Sequence, residues 1–484
     1  MKRHRLGAIL GMAAMASACG GGGTGATGGS SVATPTPTPT ATSTPTPTAG
    51  TCSLRDRQDW AAAQLREWYL FPETLPASLD PSPYSTVDAY IDALTASARS
   101  QRRDRYFTYL TSIAEENAFY ASGSSAGFGF RLGFDPSNRL FIAEAFENAP
   151  AQLAGAGRGT EIVAIGTTTA NLRSVSAIVA TEGGNGIVNA LGPDTVGTAR
   201  VLQLSGAGGN RTVTLTKTEY DIQPISPTYG AQVINDGGRK VGYVNLRTFI
   251  STADPALRTA FANFRAQGVT EVIVDLRYNG GGLVSIAELF GDLLGRNRST
   301  SDVLGYTSFR PEKSAENDTR NFMTQPESIA PAKIAFIGTG GTASASEFVI
   351  NAMIPYLHAN AGLIGTNTYG KPVGQIAIDR SACDDRFRVI AFAIQNSARQ
   401  GAYYNGLAGT VEASCQAPDD IGYQLGDPRE ASTRQALDFL AGRSCTPISA
   451  AVAATQRAQS AESQRELLMP TRPSTAQREV PGLF

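Results

Sequence analysis

The sequence predicts a multidomain α/β protein, for three reasons. Its 484 residues are too many for one ordinary core and imply two to four domains. Near residue 120 a helical period gives way to short strand-like runs separated by Gly- and Asn-rich turns. From about residue 238, near-continuous apolar strands alternate with helical segments, as in a largely parallel sheet covered by helices. The formal charge of -1 gives neither the basic footprint of a nucleic-acid binder nor a polybasic membrane patch.

Taken in order, residues 1–18 join a basic start to a short apolar run ending in Ala16-Ser17-Ala18. That is an export signal too short to span a bilayer, so the protein is expected in a bacterial cell envelope, periplasmic or on the outer membrane. Cys19 resembles the lipid-attachment cysteine of bacterial lipoproteins, although Ala16-Ser17-Ala18 also reads as a simple cleavage site. Residues 19–50, Gly-rich and then Pro/Thr-rich, form an extended tether and favour the lipid anchor. Residues 51–119 place Trp60, Leu65, Trp68, Tyr90, Ile91 and Leu94 near a helical period, predicting a helical amino-terminal domain. Residues 120–220 hold "GFGFRLGF", "RLFIAEAF", "TEIVAIG", "ARVLQLSG" and "RTVTLTKT" as strands, with one helical piece around "NLRSVSAIVATE". Residues 221–445 form the α/β core, and 446–484 a peripheral helix and a loose tail.

In an open parallel sheet, sites gather at the carboxyl ends of strands, where "NGGG" (279–282) and "GTASASE" (341–347) both fall. Ser344 is a candidate nucleophile if a base lies near it. Besides His4 in the leader the chain has only His358, 14 residues beyond Ser344 on the same predicted helix. At a rise of about 1.5 Å per residue it is roughly 20 Å away, so it reads as a helix-end or surface residue. Lysine can serve when burial lowers its pKa, whereas arginine stays charged. Lys217, Lys240, Lys313 and Lys333 read as solvated charges. Lys371 differs, because "YGKPVGQ" brings it back to the carboxyl edge of the sheet with Gln375 four residues on.

"DLRYNGGG", "GTASASE" and "YGKPVGQ", in this order, resemble the signature of the carboxyl-terminal processing (tail-specific) serine peptidases, relatives of the tricorn core protease. "GSSAGFGFRLGF" with "AEAFENAPAQLAGAGRGTEIVAIG" resembles the PDZ domain that such enzymes carry. The resemblance implies a ClpP/crotonase-like peptidase core, with Ser344 as nucleophile, Lys371 as general base and Gln375 as its assistant. It implies an acyl-enzyme route without metal or organic cofactor, and an oxyanion hole from the amides of Ala345 and Gly281. Ser346 then reads as a helix cap and Glu347 as a carboxylate favoured by the helix dipole. In the PDZ-like domain, Phe128, Gly129 and Phe130 form the loop that captures a substrate's terminal carboxylate. The sequence departs from the family at Pro372, where glycine usually follows the lysine, and at Thr160, where the PDZ turn normally has Asp.

The expected function is therefore cleavage of unstructured or carboxyl-terminal polypeptide segments, helped by the PDZ-like domain. The alternative is a catalytically inactive peptide- or ligand-binding protein of the same fold, which gives no reason to keep Ser344, Lys371 and Gln375 together. A penicillin-recognising hydrolase is excluded because no lysine has serine three residues before it. Cys52, Cys383, Cys415 and Cys445 suggest two disulfides, assigned as Cys383 with Cys415 and Cys52 with Cys445. They show no C-x-x-C spacing and no histidine cluster, so no zinc site is expected. The apolar Gly482-Leu483-Phe484 offers, as an alternative to the loose tail, a self-inhibitory segment able to bind a PDZ groove, its own or a neighbour's.

Overall fold

A computed structural model describes residues 52–449 and 466–484. The leader, Cys19, the tether and the helix expected beyond residue 449 lie outside these residues. The centre is a six-stranded sheet in the order Ala231–Asp236, Arg239–Asn245, Glu271–Asp275, Lys333–Gly338, Ala361–Gly365, Ala413–Gln416. The first pair is an antiparallel hairpin and every later pair is parallel. The inner strands are apolar on both faces because both faces are covered. Helix Ala253–Ala266 lays Leu257, Ala260, Phe261 and Phe264 against one side, the spacing of a helix with one buried stripe. Helix Ala345–Leu357 buries every residue from Ala345 to Ile354, since it lies between this sheet and a second one.

That second sheet is not legible as strands in the sequence. It joins Tyr109–Ser112, Asp385–Gln395, Val303–Phe309 and Asp318–Asn321, with Val373–Arg380 pairing Asp385–Gln395. The amino-terminal helices are not a separate domain either. Helix Leu54–Trp68, capped by Ser53, and helix Val87–Leu94, capped by Thr86, bury Leu65, Tyr69 and Ile91 in one cluster with Val373, Phe387 and Val389. Their apolar stripe is completed by strands far away in the sequence, a long-range closure that costs chain entropy and is repaid by burial.

The β-rich module is a sheet in the order Glu466–Leu467, Phe130–Phe134, Leu140–Ala145, Glu161–Gly166, Ala199–Ser205, Arg211–Thr216, with Arg173–Ser174 added beside Glu161–Gly166. Helix Val175–Leu191 covers it through Val175, Ile178, Ile187 and Leu191. Strand Ser124–Gly127 pairs with Thr218–Asp221, so the module's entry and exit lie side by side.

Two further expectations are corrected. The disulfides are Cys52–Cys383 and Cys415–Cys445, with Cα atoms 5.6 and 5.5 Å apart. Packing of the first helix on strand Asp385–Gln395 brings Cys52 to the turn Ser381–Cys383, and Cys445 returns beside the last parallel strand. The tail, expected to be loose, is held from 466 to 484: Val480, Leu483 and Phe484 are buried, and Ser474 caps a short helix Thr475–Glu479.

Candidate active site

Ser344 stands between strand Lys333–Gly338 and helix Ala345–Leu357, as the helix's N-cap. Its backbone has φ 55 and ψ -115, a conformation that costs a non-glycine residue roughly 1–3 kcal/mol and persists only where its surroundings enforce it. The enforcing group is Glu347, fully buried. Its Oε2 accepts from the amides of Ser344 (3.1 Å) and Lys371 (2.7 Å), and its Oε1 accepts from the amide of Gly370 (2.7 Å) and from Thr368 Oγ1 (2.6 Å). One carboxylate thus fixes the backbones of both expected catalytic residues, across 27 positions of sequence. Burial pushes the Glu347 carboxyl up, against the four donors that favour its charged form. The reading of Glu347 as a mere dipole partner missed this, because the loop returning to it is remote in sequence. Ser346 is not the cap; its hydroxyl donates to Asn279 O (3.0 Å) and fastens the helix to the glycine turn.

Lys371 lies in the loop between strands Ala361–Gly365 and Val373–Arg380. Its Nζ donates to Gln375 Oε1 (2.9 Å) and lies 5.0 Å from the centre of the Phe107 ring. Gln375 Nε2 donates to the Phe107 carbonyl, which can only accept, so the amide oxygen must face the lysine. Burial pushes the Lys371 ammonium down to about 8; Glu479 opposes that shift, while Arg478 and Arg388 add to it. The amino-terminal segment secures the same loop, with the Arg105 guanidinium donating to the carbonyls of Tyr369 (2.7 Å) and Gly370 (2.6 Å). Phe107 is itself set by Asp104, which accepts from the amide of Phe107 (2.8 Å) and from Thr108 Oγ1 (2.7 Å). No pattern in the sequence marks residues 104–108 as props for Lys371 and Gln375.

The glycine turn faces Ser344. A Cβ on Gly281 would come within 2.8 Å of Ser344 Cβ and 3.2 Å of Ala345 N, and one on Gly280 within 2.0 Å of Arg478 O. Ala345 is the first helical residue, so its N–H has no acceptor within the helix. The Gly281 N–H, expected to serve the oxyanion hole, donates instead to Asn279 Oδ1 (2.9 Å). The neighbouring Gly280 N–H donates to Glu479 O (2.9 Å). Below the turn, Arg277 is sealed in a charged cluster. It bonds Asp275, reaches Asp419, and grips Glu430 through two nitrogens at 2.9 Å each. This explains "DLR" as the foundation of the turn.

His358 is exposed at the far end of the helix, 2.8 Å from Glu412 Oε1, away from the site. In the β-rich module, Phe128 and Phe130 are buried, while the amides of Gly129 and Phe130 donate to Phe484 O at 3.0 and 3.3 Å. No group of acidic, histidine or cysteine side chains suited to a metal ion occurs among the described residues.

A strained serine at a strand-to-helix turn, a partly buried lysine held by the same carboxylate and a glycine turn thus come together on this α/β core. Residues 240–397, which hold all three motifs, match the model of peptidase family S41. The chain is 29% identical over 280 residues to the chloroplastic C-terminal processing peptidase of Tetradesmus obliquus, covering 54% of each chain. It is 24% identical over 293 residues to the carboxy-terminal processing protease CtpA of Bacillus subtilis, covering 60% of this chain and 57% of that one. The chain thus spans about half the length of the curated relatives it matches. The crystal structure of a Bacteroides fragilis protein described as an S41 protease shares the fold, with a TM-score of 0.61 at 22% identity over 79% of this chain and 97% of that one. Relatives are chloroplastic or bacterial processing proteases, and no helix among the described residues is long and apolar enough to cross a membrane.

Proposed function

We propose that this protein is an exported serine endopeptidase in which Ser344 attacks a peptide carbonyl and Lys371 acts as general base. Carrying the reading is the Glu347 carboxylate, which holds the amides of Ser344 and Lys371 on one oxygen atom beside a lysine whose pKa is lowered to about 8. Neutral Lys371 takes the Ser344 proton while its own N–H bond to Gln375 keeps the lone pair aimed; the alkoxide then adds to the carbonyl. The Ala345 N–H and one amide of the 280–281 turn receive the developing negative charge. Of that pair, Gly280 becomes available when Glu479 leaves, and Gly281 when Asn279 turns aside. Collapse expels the amine, which takes the proton from Lys371, and the lysine, neutral once more, then acts as base for the water that resolves the acyl-enzyme. The β-rich module serves as a PDZ-type groove that takes substrate as an added strand, with Phe128, Gly129 and Phe130 at its carboxylate end. Attachment through Cys19 to an envelope membrane completes the proposal.

Cleavage of unfolded casein tests it. The wild-type chain should cut, and Ser344→Ala and Lys371→Ala should each lose nearly all activity; equal residual cutting by all three would refute the dyad.

A further inference from the structure

The edge of strand Phe130–Phe134 is already filled, by two separate pieces of the chain's own tail. Glu466 and Leu467 pair antiparallel with Phe134 and Gly133, and the Leu468 amide donates to Leu132 O (3.0 Å). The chain then leaves the edge and returns to it in the same direction. The Leu132 amide donates to Gly482 O (2.8 Å), and Phe484 exchanges bonds with Phe130 (N to O 3.0 Å, O from N 3.3 Å). Gly482 N donates to Met469 Sδ (3.2 Å), closing the neck of the excursion.

Residues 470–481 reach from this neck into the catalytic cleft. The Glu479 carbonyl accepts from the Gly280 amide, next to Gly281, where a Cβ would come within 2.8 Å of Ser344 Cβ. The Glu479 carboxylate accepts from Tyr120 (3.0 Å), while its Oε2 is buried without a hydrogen-bond partner. The Arg478 guanidinium lies 3.8 Å from the Tyr109 ring centre and donates to Tyr106 O (2.9 Å). Val480, Leu483 and Phe484 are at most 3% exposed, packed with Phe146, Tyr220 and Ile250 or in the module's core. A surface tail with no role would not fill a sheet edge, an apolar groove and the amide beside the nucleophile together.

We propose that residues 466–484 are a built-in competitor for substrate: this segment occupies the groove and the cleft at rest, and extended polypeptides with apolar side chains at the places of Val480, Leu483 and Phe484 displace it. The groove's ligand class is therefore an extended apolar peptide strand rather than a folded surface. This rests on the peptidase reading only for its effect on activity; occupancy of the groove can be tested alone.

Two measurements separate the cases. Casein cleavage by the full chain is compared with that of a chain ending at residue 469 and with Leu483→Asp, which undocks the tail without removing it. Release should raise the rate about tenfold or more in both variants, as expected when an inactive form dominates at rest. Equal, measurable rates in all three would overturn the proposal and leave the peptidase reading standing. In parallel, a fluorescent peptide of residues 470–484 should bind the shortened chain and Leu483→Asp but not the full chain, while the same peptide carrying Leu483→Asp binds none of them. If no form cuts casein, the peptidase reading fails, yet this binding pattern would still uphold the tail as occupant. Equal peptide binding to all forms, or to none, would overturn it.

Discussion

A lysine base works only when neutral, and Lys371 is pushed down to about 8 by burial, faced by Glu479, Arg478, Arg388 and Asp104. Cleavage should therefore be weak at pH 6, rise through about pH 8 and level off above it, which a pH profile of kcat/KM will show. The same shift has a stability consequence. The folded pKa lies below the unfolded one, so the charge on Lys371 opposes folding at neutral pH, and that cost fades as pH rises from about 8 toward the unfolded value near about 10.4. Lys371→Met should hence abolish cleavage while leaving Tm unchanged or higher, which a lysine with a purely structural role would not do. Glu347→Gln is the complementary test. Its new NH2 would face two donors instead of accepting from them, with each lost charge-assisted bond worth about 1.5–3 kcal/mol. We expect kcat to fall about a hundredfold with KM little changed, together with a lower Tm, since Glu347 positions the reacting groups without touching substrate.

Among the elements, the first helices and strand Val373–Arg380 depend on one another. The helices cover the strand that carries Gln375, and residues 104–108 hold Gln375 and the Lys371 loop in place. The Cys52–Cys383 disulfide fastens this union across 331 residues of sequence. Cys52→Ser with Cys383→Ser should cost about 2–5 kcal/mol in chemical denaturation. Hydrogen exchange should rise first in the segment 54–108, and activity should fall with it as the Gln375 amide loses its anchor.

Across the whole molecule, the β-rich module and the core are joined by buried charge as well as by the tail. Arg247, on the loop after strand Arg239–Asn245, bonds Glu144 (2.7 Å) and Glu147 (2.7 Å) of the module, and Arg131 bonds Glu144 from the other side while donating to Tyr278 O (3.0 Å) of the glycine turn. The paired arginines hold the Glu144 carboxyl down near about 2 despite burial. Arg247→Met would leave two carboxylates short of a partner. It should destabilise the chain by about 3–5 kcal/mol, and limited proteolysis should then open the connection between module and core.

Much of the candidate site is legible in the amino-acid sequence alone. Ser344, Lys371, Gln375 and the glycine turn stand out because chemistry restricts their residue types and because parallel strands deliver their carboxyl ends to one edge. What the sequence determined, then, is local: the alternation of apolar strands and amphipathic helices, and the residue types able to attack, to lose a proton or to let backbones approach. The tertiary structure alone decided which cysteines meet, that the amino-terminal helices belong to the core's second sheet, that Glu347 ties Ser344 to Lys371, and that the tail returns to the module's edge and the glycine turn. Each of these joins residues far apart in the chain through burial and hydrogen bonding, and such pairings leave no periodic trace in a single sequence, because local pattern records which face of an element is buried and not what buries it.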